Sequence, residues 1–159
     1  MASHDPALAH YIYARVEEKQ GNNHAEQEYK QALSDSGNAA RYWIELAYFY
    51  RRAGRLPEME NAIRQALSAP RNGAIPEYDG AYLFLRTGRD YRNAVQMLRK
   101  YLNTSVVEED GPTFRAHYML GQLLEKLGDT RGAAQEYQAA VSLASEYRPA
   151  QDALARVSR

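Results

Sequence analysis

One spacing, met four times, constrains what this chain can fold into. Between Arg115 and Ala144, the residues Leu120-Gly121, Leu124, Gly128, Ala133, Tyr137, Ala140 and Val141 stand at set intervals. From Ala40 to Leu67 the same slots hold Trp43, Leu46-Ala47, Tyr50, Gly54, Met59, Ile63, Ala66 and Leu67. From Ile75 to Leu102 they hold Tyr78, Ala81-Tyr82, Leu85, Arg89, Ala94, Leu98, Tyr101 and Leu102. The first copy is looser, with Tyr13-Ala14, Gly21, Ala25, Tyr29, Ala32 and Leu33, and its central turn is one residue shorter. Copies begin near Ala7, Ala40, Ile75 and Phe114, a period of about 34 residues.

Apolar residues three and four apart share one face of a helix. Trp43, Leu46 and Tyr50 make one such stripe, and Met59, Ile63 and Ala66-Leu67 make a second after the break at Gly54. A single helix pair cannot bury both stripes; stacking the next pair covers them, so units of this kind grow as solenoids. Where the two helices of a pair cross, one of the facing side chains must be small. The spacing pairs Ala14 with Ala25, Ala47 with Met59, Tyr82 with Ala94, and Gly121 with Ala133. Each pair holds an Ala or a Gly, so Met59 and Tyr82 read as volume trades.

Boundary residues agree with this division. Asp5-Pro6 is a cap followed by a first-turn proline. Gly37-Asn38 is expected to end the second helix and cap the third. Ala69 to Gly73 ends the fourth, and Pro76 suits the first turn of the fifth. The stretch from Asn103 to Pro112, with Glu108-Glu109-Asp110, reads as an extended solvated loop. Pro149 opens a last helix in which Gln151, Asp152 and Arg156 alternate with Ala153, Leu154 and Val157. Helices are expected over 6–20, 23–36, 39–53, 56–69, 76–88, 91–103, 112–127, 130–144 and 149–157.

Composition excludes more than it assigns. Twenty basic and 20 acidic residues give a net charge of zero, so no global attraction to nucleic acid or a membrane is expected. Without cysteine there is no disulfide framework and no thiol chemistry. No basic stretch followed by an apolar run marks a signal peptide, and no span of membrane length is visible, so cytoplasm is the default expectation. His4, His10, His24 and His117 are scattered, without ligand spacing for a metal. His10 and His117 both take the slot of Trp43, a packing position. Glu17-Glu18 and Glu108-Glu109-Asp110 are adjacent residues that point in different directions, which suits solvated faces better than paired acid–base work. Gly21, Gly54 and Gly128 are repeat turns rather than a phosphate-binding loop. No cofactor, metal or catalytic residue is expected, and an enzyme is not.

The pattern resembles the tetratricopeptide repeat family over about residues 7–147. The resemblance implies an all-α, right-handed α-solenoid of four helix-turn-helix repeats, at about 7–39, 40–74, 75–108 and 114–147. A capping helix follows at about 149–157, and residues 1–159 form a single repeat domain. It also implies that the first helix of each pair lines a concave groove through slots two, five, nine, twelve and thirteen. Carried onto this sequence, those slots hold Leu8, Tyr11, Arg15, Glu18 and Lys19, then Arg41, Ile44, Tyr48, Arg51 and Arg52. The third repeat gives Pro76, Asp79, Leu83, Arg86 and Thr87, and the fourth gives Arg115, Tyr118, Gln122, Glu125 and Lys126. The acids Glu26, Glu28, Glu58, Glu60 and Glu136 fall on second helices. The family's carboxylate clamp for chaperone tails finds Tyr11, Arg15, Glu45, Pro76 and Gly80 at its positions and is not matched.

The expected function is a non-enzymatic interaction scaffold. Its groove residues Tyr11, Arg15, Arg41, Ile44, Tyr48, Arg51, Arg52, Leu83, Arg86, Arg115 and Tyr118 would bind an extended or helical, acidic peptide segment. Arg offers bidentate pairing to carboxylates, and Tyr gives rigid contact area at low entropy cost. The alternative is a structural spacer or self-association module within a larger protein or assembly; a homo-oligomer stays open, and nucleic acid is not an expected partner.

Overall fold

The computed structural model describes residues 5–71, 75–104 and 112–159. Among them are nine helices and no strand: α1 (Pro6–Lys19), α2 (Ala25–Asp35), α3 (Ala40–Arg52), α4 (Leu56–Ser68), α5 (Pro76–Thr87), α6 (Tyr91–Asn103), α7 (Thr113–Lys126), α8 (Thr130–Leu143) and α9 (Arg148–Val157). The fold class is an all-α solenoid of helix pairs. By its contacts the chain divides into two compact units, Met1–Pro76 and Glu77–Arg159. The acidic loop expected between repeats three and four lies largely outside the described residues, as does the turn at Asn72-Gly73.

The helices start and stop for local reasons. Asp5 accepts the Leu8 N–H at 3.1 Å while Pro6 takes the first helical position. Asp90 caps α6 through the Asn93 N–H at 3.3 Å, and Asp129 caps α8 through the Gly132 N–H at 2.8 Å. Asn38 does not cap α3 as expected. It takes a left-handed φ of 61° and donates its N–H to Leu33 O at 2.9 Å, closing α2, and Ala39 precedes α3 with no side-chain cap.

Each first helix ends on the same closure. A glycine at positive φ follows the last turn, and the next N–H donates to the carbonyl five residues back. The bonds are Asn22 to Glu17, Arg55 to Tyr50, Arg89 to Phe84 and Asp129 to Leu124, at 2.8–3.0 Å. The glycines are Gly21, Gly54, Gly88 and Gly128, at φ +70°, +72°, +70° and +83°.

This closure corrects the alignment of the third repeat. The turn glycine is Gly88, not the slot given to Arg89, and Phe84 rather than Leu85 is the counterpart of Tyr50 and Leu124. The slots of that repeat's first helix therefore lie one residue earlier than the sequence spacing suggests, although the helix itself starts at Pro76 as expected. One added residue, Asp90 in a left-handed conformation (φ 37°), restores the register before α6. Burial follows the corrected frame: Ala81 and Leu83 are fully enclosed, Phe84 nearly so, and Leu85 is half-buried. Tyr82 is thus not a volume trade at a crossing; it is half-buried on the neighbouring face.

The pairs are held by small residues and enclosed tyrosines. Ala14, Ala47, Ala81, Ala94 and Ala133 are all buried at their crossings. Above Gly121 lies the Tyr137 ring, so close that a Cβ there would meet ring atoms at 2.5–3.0 Å. Gly121 is small to admit that ring, a reason beyond the expected Ala133. Repeats one and four share two further devices. His10 bonds Glu28 at 2.6 Å and His117 bonds Glu136 at 2.7 Å, each tying a first helix to its second. Tyr29 donates to Glu18 at 2.8 Å, and Arg52 of the following helix pairs with the same carboxylate at 2.5 Å. Tyr137, Glu125 and Arg156 repeat that triad. Arg156 on α9 stands where Arg52 stands on α3, so α9 covers the last pair as the first helix of a further repeat would. Glu18 is correspondingly half-buried and bonded rather than solvated.

Candidate binding pocket in the second unit

The corrected register gathers one face of α5 and one of α7. Tyr78, Tyr82, Leu85 and Arg86 follow the spacing of a single helical face, and so do Arg115, Tyr118, Met119, Gln122 and Lys126. With Tyr147 and Pro149 from the start of α9, they line an open pocket of about 570 Å³. That size lies within the range of ligand-binding clefts.

Aromatic packing fixes the walls. Tyr118 meets Tyr147 edge-on at 5.4 Å and lies 5.7 Å from the Tyr137 ring. Tyr147 also packs edge-on against Phe114 at 5.0 Å, and the Tyr78 ring lies tilted against Tyr101 at 5.2 Å. Gln122 donates to the Tyr118 hydroxyl at 3.3 Å. Burial raises the pKa of both Tyr78 and Tyr118, so these phenols stay neutral donors at physiological pH.

The charges that described residues bring to the pocket are of one sign. Arg86, Arg115 and Lys126 line it, and among the described residues no carboxylate does. None of the three makes an ion pair with a described residue. The acid nearest in sequence, Glu125, is taken up by Arg156 and the Tyr137 hydroxyl; the Arg156 hydrogen bond, with that of Tyr137, outweighs burial and lowers its pKa. A concave site with neutral aromatic walls and unpaired guanidinium groups suits a carboxylate attached to an apolar or extended backbone.

Of the expected groove residues, Arg86, Arg115 and Tyr118 come together in this pocket. Leu83 does not: it is fully enclosed, because the one-residue slip turns it into the core. Ile44 is likewise buried, at 5% exposure, and packs rather than presents a surface. In the first unit, Arg15 donates to the Tyr11 hydroxyl at 3.1 Å, while Arg41 lies 6.0 Å from the Tyr11 ring and 5.6 Å from Tyr42. These three form their own small cluster. Arg52 is engaged by Glu18 and Tyr29, and Tyr48 and Arg51 are half-buried. Three lining residues, Tyr78, Tyr82 and Tyr147, are not among the groove residues expected from the sequence. Gly88 carried the signal for the first two, since aligning it with Gly54 and Gly128 moves the groove slots onto Tyr78, Tyr82, Leu85 and Arg86. Tyr147 had no signal in the repeat, because it belongs to the segment that leads into α9.

Among the described residues, no group of three or more His, Cys, Asp or Glu side chains is placed to hold a metal ion. No described helix is long and apolar enough to cross a membrane.

Comparison with known proteins places these features in a family. Models of the tetratricopeptide repeat match residues 40–72 and 78–148. No curated protein matches the chain. Among solved structures, a crystal structure of MamA superposes with a TM-score of 0.72 at 16% identity, over 91% of this chain and 81% of that one. A functionally characterised pilF from Pseudomonas aeruginosa gives 0.77 at 16% identity, over 96% of this chain and 67% of that one. MamA residues 41 to the end from Desulfovibrio magneticus RS-1 gives 0.72 at 16%, covering 98% and 85%. At such identities the likeness is one of fold.

Proposed function

The chain belongs to the tetratricopeptide repeat family, whose members are protein-interaction scaffolds, and on that premise we propose that it binds an acidic peptide segment through the pocket of its second unit. The observation that carries the proposal is the one-signed lining. Arg86, Arg115 and Lys126 surround four tyrosines, with no carboxylate among the described lining residues. A hollow of the first unit differs in this respect, since Lys30 and Glu58 both line it.

In the proposed complex an Asp or Glu side chain, or a terminal carboxylate, pairs with the guanidinium groups of Arg86 and Arg115. The peptide backbone and an adjacent apolar side chain lie against Tyr78, Tyr82 and Tyr147, which exclude water and strengthen the ion pairs. The protein does no chemistry on the segment; it holds it. Affinity is expected near the micromolar range, about −8 kcal/mol, and falls as salt rises. Calorimetric titration of the chain with matched peptides, one carrying two or three carboxylates and one with the corresponding amides, tests the reading. Tenfold or tighter binding of the acidic peptide, lost on Arg115→Glu, supports it; equal binding of the two peptides ends it.

A further inference from the structure

We propose that α1 is a self-association surface on which a second copy of this chain docks by its own α1, antiparallel, about a two-fold axis through Ile12. The inner face of α1 is fully engaged. Ala7 and Ala14 are buried, His10 bonds Glu28 of α2, Tyr11 packs against Tyr42 of α3, and Glu18 binds Tyr29 and Arg52. The opposite face carries Leu8, Ile12 and Val16 at 38%, 52% and 45% exposure, with Tyr13 beside them at 60%. Only Leu127 and Leu143 are comparably exposed large apolar residues elsewhere among the described ones.

The occupant follows from the order of residues along that face. Asp5, Leu8, Ile12, Val16 and Lys19 are spaced three, four, four and three apart, which places them in one stripe of the helix. The stripe is symmetric about Ile12 in position and complementary about it in charge. Turned end for end, Ile12 meets Ile12, Leu8 meets Val16, and Asp5 meets Lys19 twice, at the two ends of a contact about 21 Å long. Lys19 makes no ion pair with a described residue, and Asp5 uses one carboxylate oxygen on the Leu8 N–H. A self-complementary patch of this form is what a closed two-fold dimer requires. Antiparallel pairing also opposes the two helix dipoles favourably. A contact one helix wide is smaller than the ~1,200–2,000 Å² of standard stable interfaces, so the dimer is weak, with a dissociation constant on the order of 100 µM.

Sedimentation equilibrium of the full chain from roughly 10 µM to 1 mM tests the proposal. A reversible monomer–dimer equilibrium is expected, weakened tenfold or more by Ile12→Glu and more modestly by Lys19→Glu, which sets like charges opposite Asp5. Circular dichroism checks that both variants keep their helices. Because the chain has no cysteine, oxidative cross-linking gives a second readout, which traps even a sparsely populated dimer. Ile12→Cys should form a covalent dimer readily, whereas Gln27→Cys, exposed on α2, should not. A chain that stays monomeric across the range, as it would if α1 were the seat of some other segment, overturns the proposal. So does a dimer indifferent to Ile12→Glu and Lys19→Glu, or equal cross-linking at the two positions.

Discussion

At the scale of single residues, the tightest constraints sit where one side chain fills the space that another gives up. The Tyr137 ring lies over the missing side chain of Gly121 and is held there by its hydrogen bond to Glu125. Gly121→Ala must push a bonded aromatic ring out of an enclosed site, and should destabilise by about 1–3 kcal/mol in thermal or urea unfolding. An unchanged melt would show that the ring has room. Glu26 is a second such point. Burial by itself would raise its pKa, but hydrogen bonds from Arg55, Lys30 and Tyr50 outweigh that and bring it to about 2. The folded-state value is below the unfolded one, so the contribution is present at neutral pH and is lost as pH falls from about 5 toward 2. Partial exposure limits it to about 1 kcal/mol or less. Urea melts across that range should show Glu26→Gln to be less acid-sensitive than the wild type; parallel acid limbs would contradict the assignment.

At the scale of elements, the question is register. Helix positions were legible in the sequence because apolar spacing and turn glycines are local signals. The expected bounds of α4, α6 and α8 differ from the observed ones by no more than one residue at either end. Spacing alone failed in α5, where Leu85 and Arg89 fitted the apolar and turn slots nearly as well as Phe84 and Gly88. One inserted residue before α6 hid the slip, and it carried Leu83 into the expected groove and Tyr82 out of it. The Glu18–Tyr29–Arg52 triad was not legible for another reason: its members lie 11 and 23 residues apart, and only packing brings them together. The corrected register makes opposite predictions for two neighbouring residues. Leu83→Ala should cost about 2–5 kcal/mol of stability, as an enclosed leucine does, with ligand binding retained under native conditions. Tyr82→Ala should cost less stability and weaken peptide binding. The reverse order in paired melts and titrations would restore the uncorrected frame.

At the scale of the whole molecule, two helix-pair units with their own cores share a chain of zero net charge, yet the second unit concentrates three cations around four tyrosines. That local imbalance within a neutral whole sets the pocket apart from the surface of a generally basic protein. The salt dependence of binding should therefore be that of a few contacts, not of a polyelectrolyte. The central claim is that this pocket receives a carboxylate-bearing segment, and amide chemical-shift mapping during titration with an acidic peptide tests it most directly. The largest shifts are expected on Tyr78, Tyr82, Arg86, Arg115, Tyr118, Gln122 and Tyr147, and the amide-substituted peptide should leave them in place. Shifts centred on other residues, or identical maps for the two peptides, would contradict it.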